Sequence, residues 1–226
     1  MRYLVVAAHP DDEVLGCGGT IARLTGEKHD VYVAILGEGI TSRYDQREQA
    51  DQGIIKKLHA RSRQVSKLLG VKELCLYDFP DNRFDTVPLL DIIKTVEKLI
   101  NRLQPKIVYT HHSGDLNIDH VLTCRATLTA CRPLKDSPVK EIYAFEIPSA
   151  TDWSFQCFNS SFRPNTYKNI SDTIDLKISA LNCYKSEACD FPHPRSIEAV
   201  RANALRWGSL VGVNYAEAFE LLFSRS

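Results

Sequence analysis

Through the first 148 residues, short apolar, β-branched runs alternate with longer segments of helical periodicity, and this alternation constrains the fold more than any other feature. Residues 2–8 and 30–37 read as buried strands because their apolar side chains run almost without interruption. Between them, residues 13–24 carry Val14, Ile21 and Leu24 on one helical face. A polar stretch at 38–52 then enters a helix marked by Ile54, Leu58, Val65 and Leu68 and closed at Gly70. A strand at 74–77, the turn Phe79-Pro80-Asp81-Asn82 and a strong helix from Leu89 to Leu103 follow, stopping near Pro105. Strand 106–111, helix 119–131 and strand 141–147 complete the series. Such alternation predicts an α/β fold, a mostly parallel sheet flanked by helices on both faces.

After Pro148 the texture changes. Residues 149–169 are rich in Ser, Asn, Phe and Pro without clear period, which predicts a loop-rich C-terminal extension. Helices are expected over 172–184 and near 196–210, while 215–223 fits a strand or a helix. A length of 226 residues suits a single domain, here a core at 1–148 and an extension at 149–226. The hydrophobic share of 44% and formal net charge of zero are ordinary for a globular chain and predict neither nucleic-acid binding nor membrane insertion. No run approaches the ~18 apolar residues of a spanning helix, and Met1-Arg2 leads straight into a strand rather than a signal segment. Seven cysteines without a Cys-x-x-Cys argue against a disulfide framework and point to a reducing, cytoplasmic setting.

The chemistry gathers at two strand ends. His9-Pro10-Asp11-Asp12-Glu13 follows the first strand, and open α/β sheets put their active sites at such ends. His9 and Asp12, three apart across a turn, can converge on one cation, leaving Asp11 free to handle protons. A further ligand is expected at a neighbouring strand end, where 111–120 supplies three histidines and two acids in ten residues. Packing alone rarely collects so many polar groups.

Ala8-His9-Pro10-Asp11-Asp12-Glu13 with Asn117-x-Asp119-His120 resembles the PIG-L/LmbE-like family of zinc-dependent N-deacetylases. Phe79-Pro80-Asp81 and Tyr215-Ala216-Glu217-Ala218-Phe219 also fit the family pattern. The resemblance implies a Rossmann-like fold, metal binding by His9, Asp12 and His120, and Asp11 as general base. It implies removal of acetyl from an N-acetylglucosamine-type sugar on a small or carrier-linked conjugate. Zinc is the default cofactor, with Fe2+ also admissible; members are often oligomeric, so a homo-oligomer is admitted.

Physical roles can be assigned beside it. A cation held by two imidazoles and a carboxylate lowers the pKa of its water from ~16 towards ~7. Asp11 can take that water's proton and return it to the departing amine. Asp119 can orient an imidazole. In many family members a histidine stands where this chain has Asn117, so the oxyanion falls to Asn117, His111, His112 or Asp115.

Blander readings compete for the other residues. Gly16-x-Gly18-Gly19 suits tight helix–sheet packing better than a dinucleotide loop, since the preceding acids would repel a pyrophosphate. Only one of His111 and His112 can face the site from a strand, and neither is expected as a ligand. Asp81, Arg83, Arg43 and Tyr44 suit a pocket rim or structural turns; Trp153 and Phe155 suit sugar stacking or core packing. His193 and Arg195 each follow a proline in Phe191-Pro192-His193-Pro194-Arg195, which suits a rigid surface turn slightly better than substrate contact. The cysteines read as small core residues, and Glu13 has no expected catalytic duty. The rival functions are an amidase for another acylated amine or thiol conjugate, a non-catalytic sugar- or nucleotide-binding module, and an iron site of two histidines and a carboxylate.

Overall fold

In the computed structural model, which describes residues 1–155, 157, 161–184 and 189–226, the first strand explains the whole layering. Along β1 (Arg2–Ala7) successive side chains point to opposite faces. Tyr3, Val5 and Ala7 enter one core, Leu4 and Val6 the other, so the strand is apolar throughout because both faces are covered. The first core is closed by α1 (Asp12–Gly26), α2 (Gln52–Leu68), α5 (Ile174–Cys183) and α6 (Ile197–Val211). The second is closed by α3 (Leu89–Leu103) and α4 (Ile118–Ala130), with Ile92, Val96 and Leu99 against Leu4 and Val108.

The remaining strands are β2 (Asp30–Gly37), β3 (Glu73–Phe79), β4 (Ile107–His111), β5 (Glu141–Phe145), β6 (Thr166–Asn169) and β7 (Ala216–Ser224). The sheet runs β3-β2-β1-β4-β5-β7-β6. Strands β1 to β5 pair in parallel, while β7 is antiparallel to β5 and to β6. The predicted Rossmann-like sheet is therefore present, with a C-terminal antiparallel edge. The chain winds outward from β1 to β3 and then crosses back to β4 beside β1. Between the carboxyl ends of β1 and β4 the crossovers diverge and leave a crevice.

Element bounds follow local chemistry. Asp51 caps α2 through Gly53 N–H at 2.7 Å, and Ser196 caps α6 through Ala199 N–H at 3.1 Å. The polar segment 38–52 contains two short 3-10 turns, Thr41–Arg43 and Arg47–Gln49, before α2 begins. The ambiguous 215–223 segment is strand β7, filling the gap between β5 and β6. β6 was hidden in the aperiodic stretch because it has only four residues. Among the described residues, no helix is long and apolar enough to cross a membrane.

Candidate metal centre and active site

β1 runs out at Ala7, and the turn that follows carries His9, Asp11 and Asp12 into the start of α1. Asp11 takes the left-handed backbone, φ 105°, a conformation Asp tolerates better than most residues. Asp12 Oδ2 accepts the His9 backbone N–H at 2.8 Å, which locks this turn. α4 starts beyond the end of β4 and brings Asp119 and His120 down beside it. One donor atom from each of His9, Asp12 and His120 lies within 4.8 Å of the others, and all but the edge of His9 is buried. Asp12 Oδ1 and His120 Nε2 are buried without a hydrogen-bond partner. Such orphaned atoms are costly unless something else binds them. Two imidazoles and a carboxylate with unfilled donor atoms fit a divalent cation with room for a further ligand.

Carboxylates fix the orientation of both imidazoles. Asp115 Oδ2 lies 2.9 Å from His120 Nδ1, which leaves the Nε2 lone pair toward Asp12. Thr151 Oγ1 donates to the other Asp115 oxygen at 2.5 Å. Asp119 lies against His9 instead: its Oδ2 is 2.9 Å from His9 Nε2 and also accepts the Asn82 N–H at 2.6 Å. Its Oδ1 accepts the Phe84 N–H at 2.9 Å. Asp81 Oδ1 adds a second carboxylate at 3.2 Å from His9 Nε2. Burial pulls the His9 pKa down, but Asp119, Asp12 and Asp81 outweigh it and push it up to about 10. Burial likewise opposes charge on Asp12, yet attraction to His120 holds its carboxyl well below the usual range. The His120 pKa is raised: burial lowers it, and Asp12 and Asp115 overcome that. The centre thus carries a negative potential suited to a cation.

The remaining predicted residues divide clearly. His111 Nε2 accepts the Ala8 N–H at 2.8 Å and its ring stacks on His120 with centroids 4.0 Å apart, so that lone pair is engaged. Burial and the neighbouring His120 push the His111 pKa well down, which keeps it neutral. His112 points elsewhere, with Nδ1 2.7 Å from Glu220 Oε2. Asn117 caps α4: its Oδ1 accepts the Asp119 N–H at 2.9 Å and its Nδ2 donates to Asn82 at 2.8 Å. Asp81 accepts from the backbone N–H and hydroxyl of Ser42. Glu13 is buried behind Asp11, accepting the Asp11 N–H at 3.0 Å and the Tyr184 hydroxyl at 2.6 Å. Burial raises its pKa to about 7 against those bonds.

A cleft of about 200 Å³ opens over the centre, lined in part by His9, Asp11, Arg43, Asp81, Asn117 and Arg195. Arg195 reaches it from the turn that follows Pro192-His193-Pro194. Its Nη1 lies 3.2 Å from Asp11 Oδ2, and its Nε donates to Pro148 O and Ser149 Oγ. Trp153 meets His193 edge-on at 5.1 Å, two residues from Arg195. Only the paired prolines hinted at this in the sequence. Contact with Asp11 depends on a return of the chain 184 residues later.

Known proteins resemble the chain in sequence and in fold. An uncharacterized deacetylase of Escherichia coli (strain K12), YaiS, is 30% identical over 189 residues, covering 81% of this chain and 90% of that protein. A diacetylchitobiose deacetylase of Thermococcus kodakarensis is 25% identical over 236 residues, covering 98% of this chain and 83% of that protein. The crystal structure of a conserved protein from Thermus thermophilus superposes with a TM-score of 0.76 at 26% identity, covering 99% and 96% of the two chains. Residues 4–131, more than half of the 226, match the family described as PIG-L, GlcNAc-PI de-N-acetylase. The chain belongs to the PIG-L family.

Proposed function

We propose that the protein is a divalent-metal-dependent N-deacetylase acting on an N-acetylated amino sugar, free or linked to a carrier, in the cytoplasm. The observation that carries this reading is the buried trio His9, Asp12 and His120 with two orphaned donor atoms, beside a carboxylate that is not part of it. His9, Asp12 and His120 would hold zinc, or Fe2+, through these atoms. Such an ion supplies Lewis acidity and brings the pKa of water towards neutrality.

The chain's own residues account for the rest. Asp11 accepts a proton from the attacking water as its oxygen bonds to the acetamide carbon. The C=O electrons move onto oxygen, and the C–N bond then breaks with the proton delivered from Asp11 to the amine. The oxyanion's electrons re-form C=O, the remaining hydroxyl proton passes to solvent or to the amine, and acetate and the amino sugar leave. Arg195 is a fixed positive charge on the cleft wall, placed against Asp11, and it supplies the electrostatic support the oxyanion needs. Asn117 holds the start of α4 and the turn at Asn82 together, and its bonds engage both ends of its amide. Asp119 and Asp115 keep the imidazoles in register. We take 1–226 as one deacetylase domain, because residues 149–226 contribute Arg195, Thr151 and two strands of the sheet. Seven cysteines without a Cys-x-x-Cys favour the reducing compartment.

The substrate of the Thermococcus relative makes N,N'-diacetylchitobiose the first compound to try. The test is metal content of untagged protein by elemental analysis, followed by acetate release from N-acetylglucosamine conjugates with and without chelator. About one zinc or iron per chain with chelator-sensitive acetate release supports the reading. Metal without acetate release favours an amidase of other substrates, and no metal after reconstitution favours a binding module.

A further inference from the structure

Helix α1 is broken where it leaves the metal centre. Cys17 sits at φ −149° and ψ 24°, outside helical space, so the first turn, which carries Asp12 and Glu13, is not coaxial with the remainder. In an unbroken helix the Gly19 N–H would donate to Leu15 O. Here an ion pair from two distant elements occupies that gap. Lys177 Nζ, on α5, donates to Leu15 O at 2.8 Å. Glu217, on β7, accepts the Gly19 N–H at 2.9 Å and the Thr20 N–H at 2.7 Å. Lys177 and Glu217 meet at 2.6 Å with side chains only 5% and 4% exposed. Each charge matches the helix end it caps: the cation lies at the carboxyl end of the first turn, the anion at the amino end of the second segment. Thr173 adds a bond from its hydroxyl to Gly19 O at 2.8 Å.

Both partners are fully buried, and a buried pair is often no better for stability than apolar packing. A cap of water or a continuous helix would satisfy the same backbone groups without two desolvated charges. The continuous helix, however, would carry the Asp11–Glu13 turn along the axis of the second segment and away from its observed approach to His9 and His120. We propose that Lys177 and Glu217 are positioning residues for the metal centre: together they wedge α1 open at Cys17 and set the tilt of the turn bearing Asp11 and Asp12. The inference rests on the metal centre described above and not on the identity of the acyl substrate.

The test is a cobalt(II) titration of metal-free protein, read by the visible d–d absorption, for wild type, Glu217→Gln and a control, Leu99→Ala. Leu99 is buried in the opposite core and its loss destabilises without touching α1. Glu217→Gln should fold by circular dichroism, bind cobalt about 10- to 100-fold more weakly, as expected for loss of a group that orients ligands, and show a shifted absorption band. The control should bind as wild type. Wild-type cobalt affinity and spectrum in Glu217→Gln, or equal weakening in the control, overturns the proposal. Lys177→Met replaces Glu217→Gln if that variant does not fold, and failure of both to fold reduces the pair to a folding determinant and overturns the positioning role. Wild-type protein that binds cobalt but releases no acetate defeats the deacetylase reading alone. If wild type binds no cobalt, the metal centre falls and the wedge is judged on metal-free protein. Hydrogen exchange in residues 9–16 must then rise more in Glu217→Gln than in the control, and equal exchange overturns it.

Discussion

Asp11 stands apart from its neighbours because it lies beside the trio without belonging to it, with its Oδ2 against the Arg195 guanidinium. Asp11→Asn keeps the shape but cannot accept a proton, so turnover should fall by ~10²–10⁴ with metal content unchanged. Elemental analysis alongside steady-state kinetics checks both halves; loss of metal as well would make Asp11 a ligand. Arg195→Met removes the fixed charge on the cleft wall and should lower kcat by ~10²–10³ with metal retained, a loss typical of one oxyanion donor. An unchanged kcat with raised KM would make Arg195 a substrate-binding group instead. His9 predicts a pH dependence. Its metal-free pKa is raised from 6.5 to about 10, so the protonated ring stabilises the fold fully below pH 6.5. That contribution is lost as pH rises through about 10. A metal must displace this proton, so metal affinity should strengthen with pH across the same interval, which competition titrations at several pH values would reveal. The meeting of His9, Asp12 and His120 was legible because one motif and one strand end hold them. The partners of Asp115 and Arg195 were not: Asp115 reaches His120 only through the fold of the loop between β4 and α4, and Arg195 arrives beside Asp11 from the far end of the chain.

The elements that carry these residues are held by close approach as much as by pattern. Gly16, in the first turn of α1, lies against the Phe145 ring of β5, and a Cβ there would overlap the ring. Gly16→Ala should therefore destabilise by ~1–3 kcal/mol, the usual result of forcing a carbon into a packed core, measured as a lower urea midpoint at unchanged slope. Gly19 shows the same tightness, with a Cβ falling 2.8 Å from the Ile170 side chain. The packing account of the glycines was thus readable before any coordinates, since acids precede them and the Gly-x-Gly-x-x-Gly register is missing. The break at Cys17 was not readable. Nothing in a periodic window over 13–24 announces that Lys177 and Glu217 will enter the hydrogen-bond ladder from two other elements. Helices α3 and α6 were legible because their apolar residues recur at helical spacing. β6 was not, because four residues cannot establish a period.

For the molecule as a whole, the centre is a polar cluster enclosed by two apolar layers, and a bound cation should act on global stability. Metal at 100 times its dissociation constant should stabilise the folded state by about 2.7 kcal/mol relative to metal-free protein. Thermal unfolding with and without chelator measures this; an unchanged transition would mean that the folded state has no preferential metal site. The amino-acid sequence by itself determined the alternation of strand and helix, the parallel core and the two strand-end motifs. These follow from local periodicity and from the steric rule that a strand–helix–strand unit returns in parallel. Tertiary structure alone decided which carboxylate serves which imidazole, that Arg195 stands beside Asp11, and that α1 is broken by a buried pair. The physical reason is the same in each case. These contacts join residues five to nearly two hundred positions apart, and their geometry depends on where the sheet sets the strand ends, which no local pattern encodes.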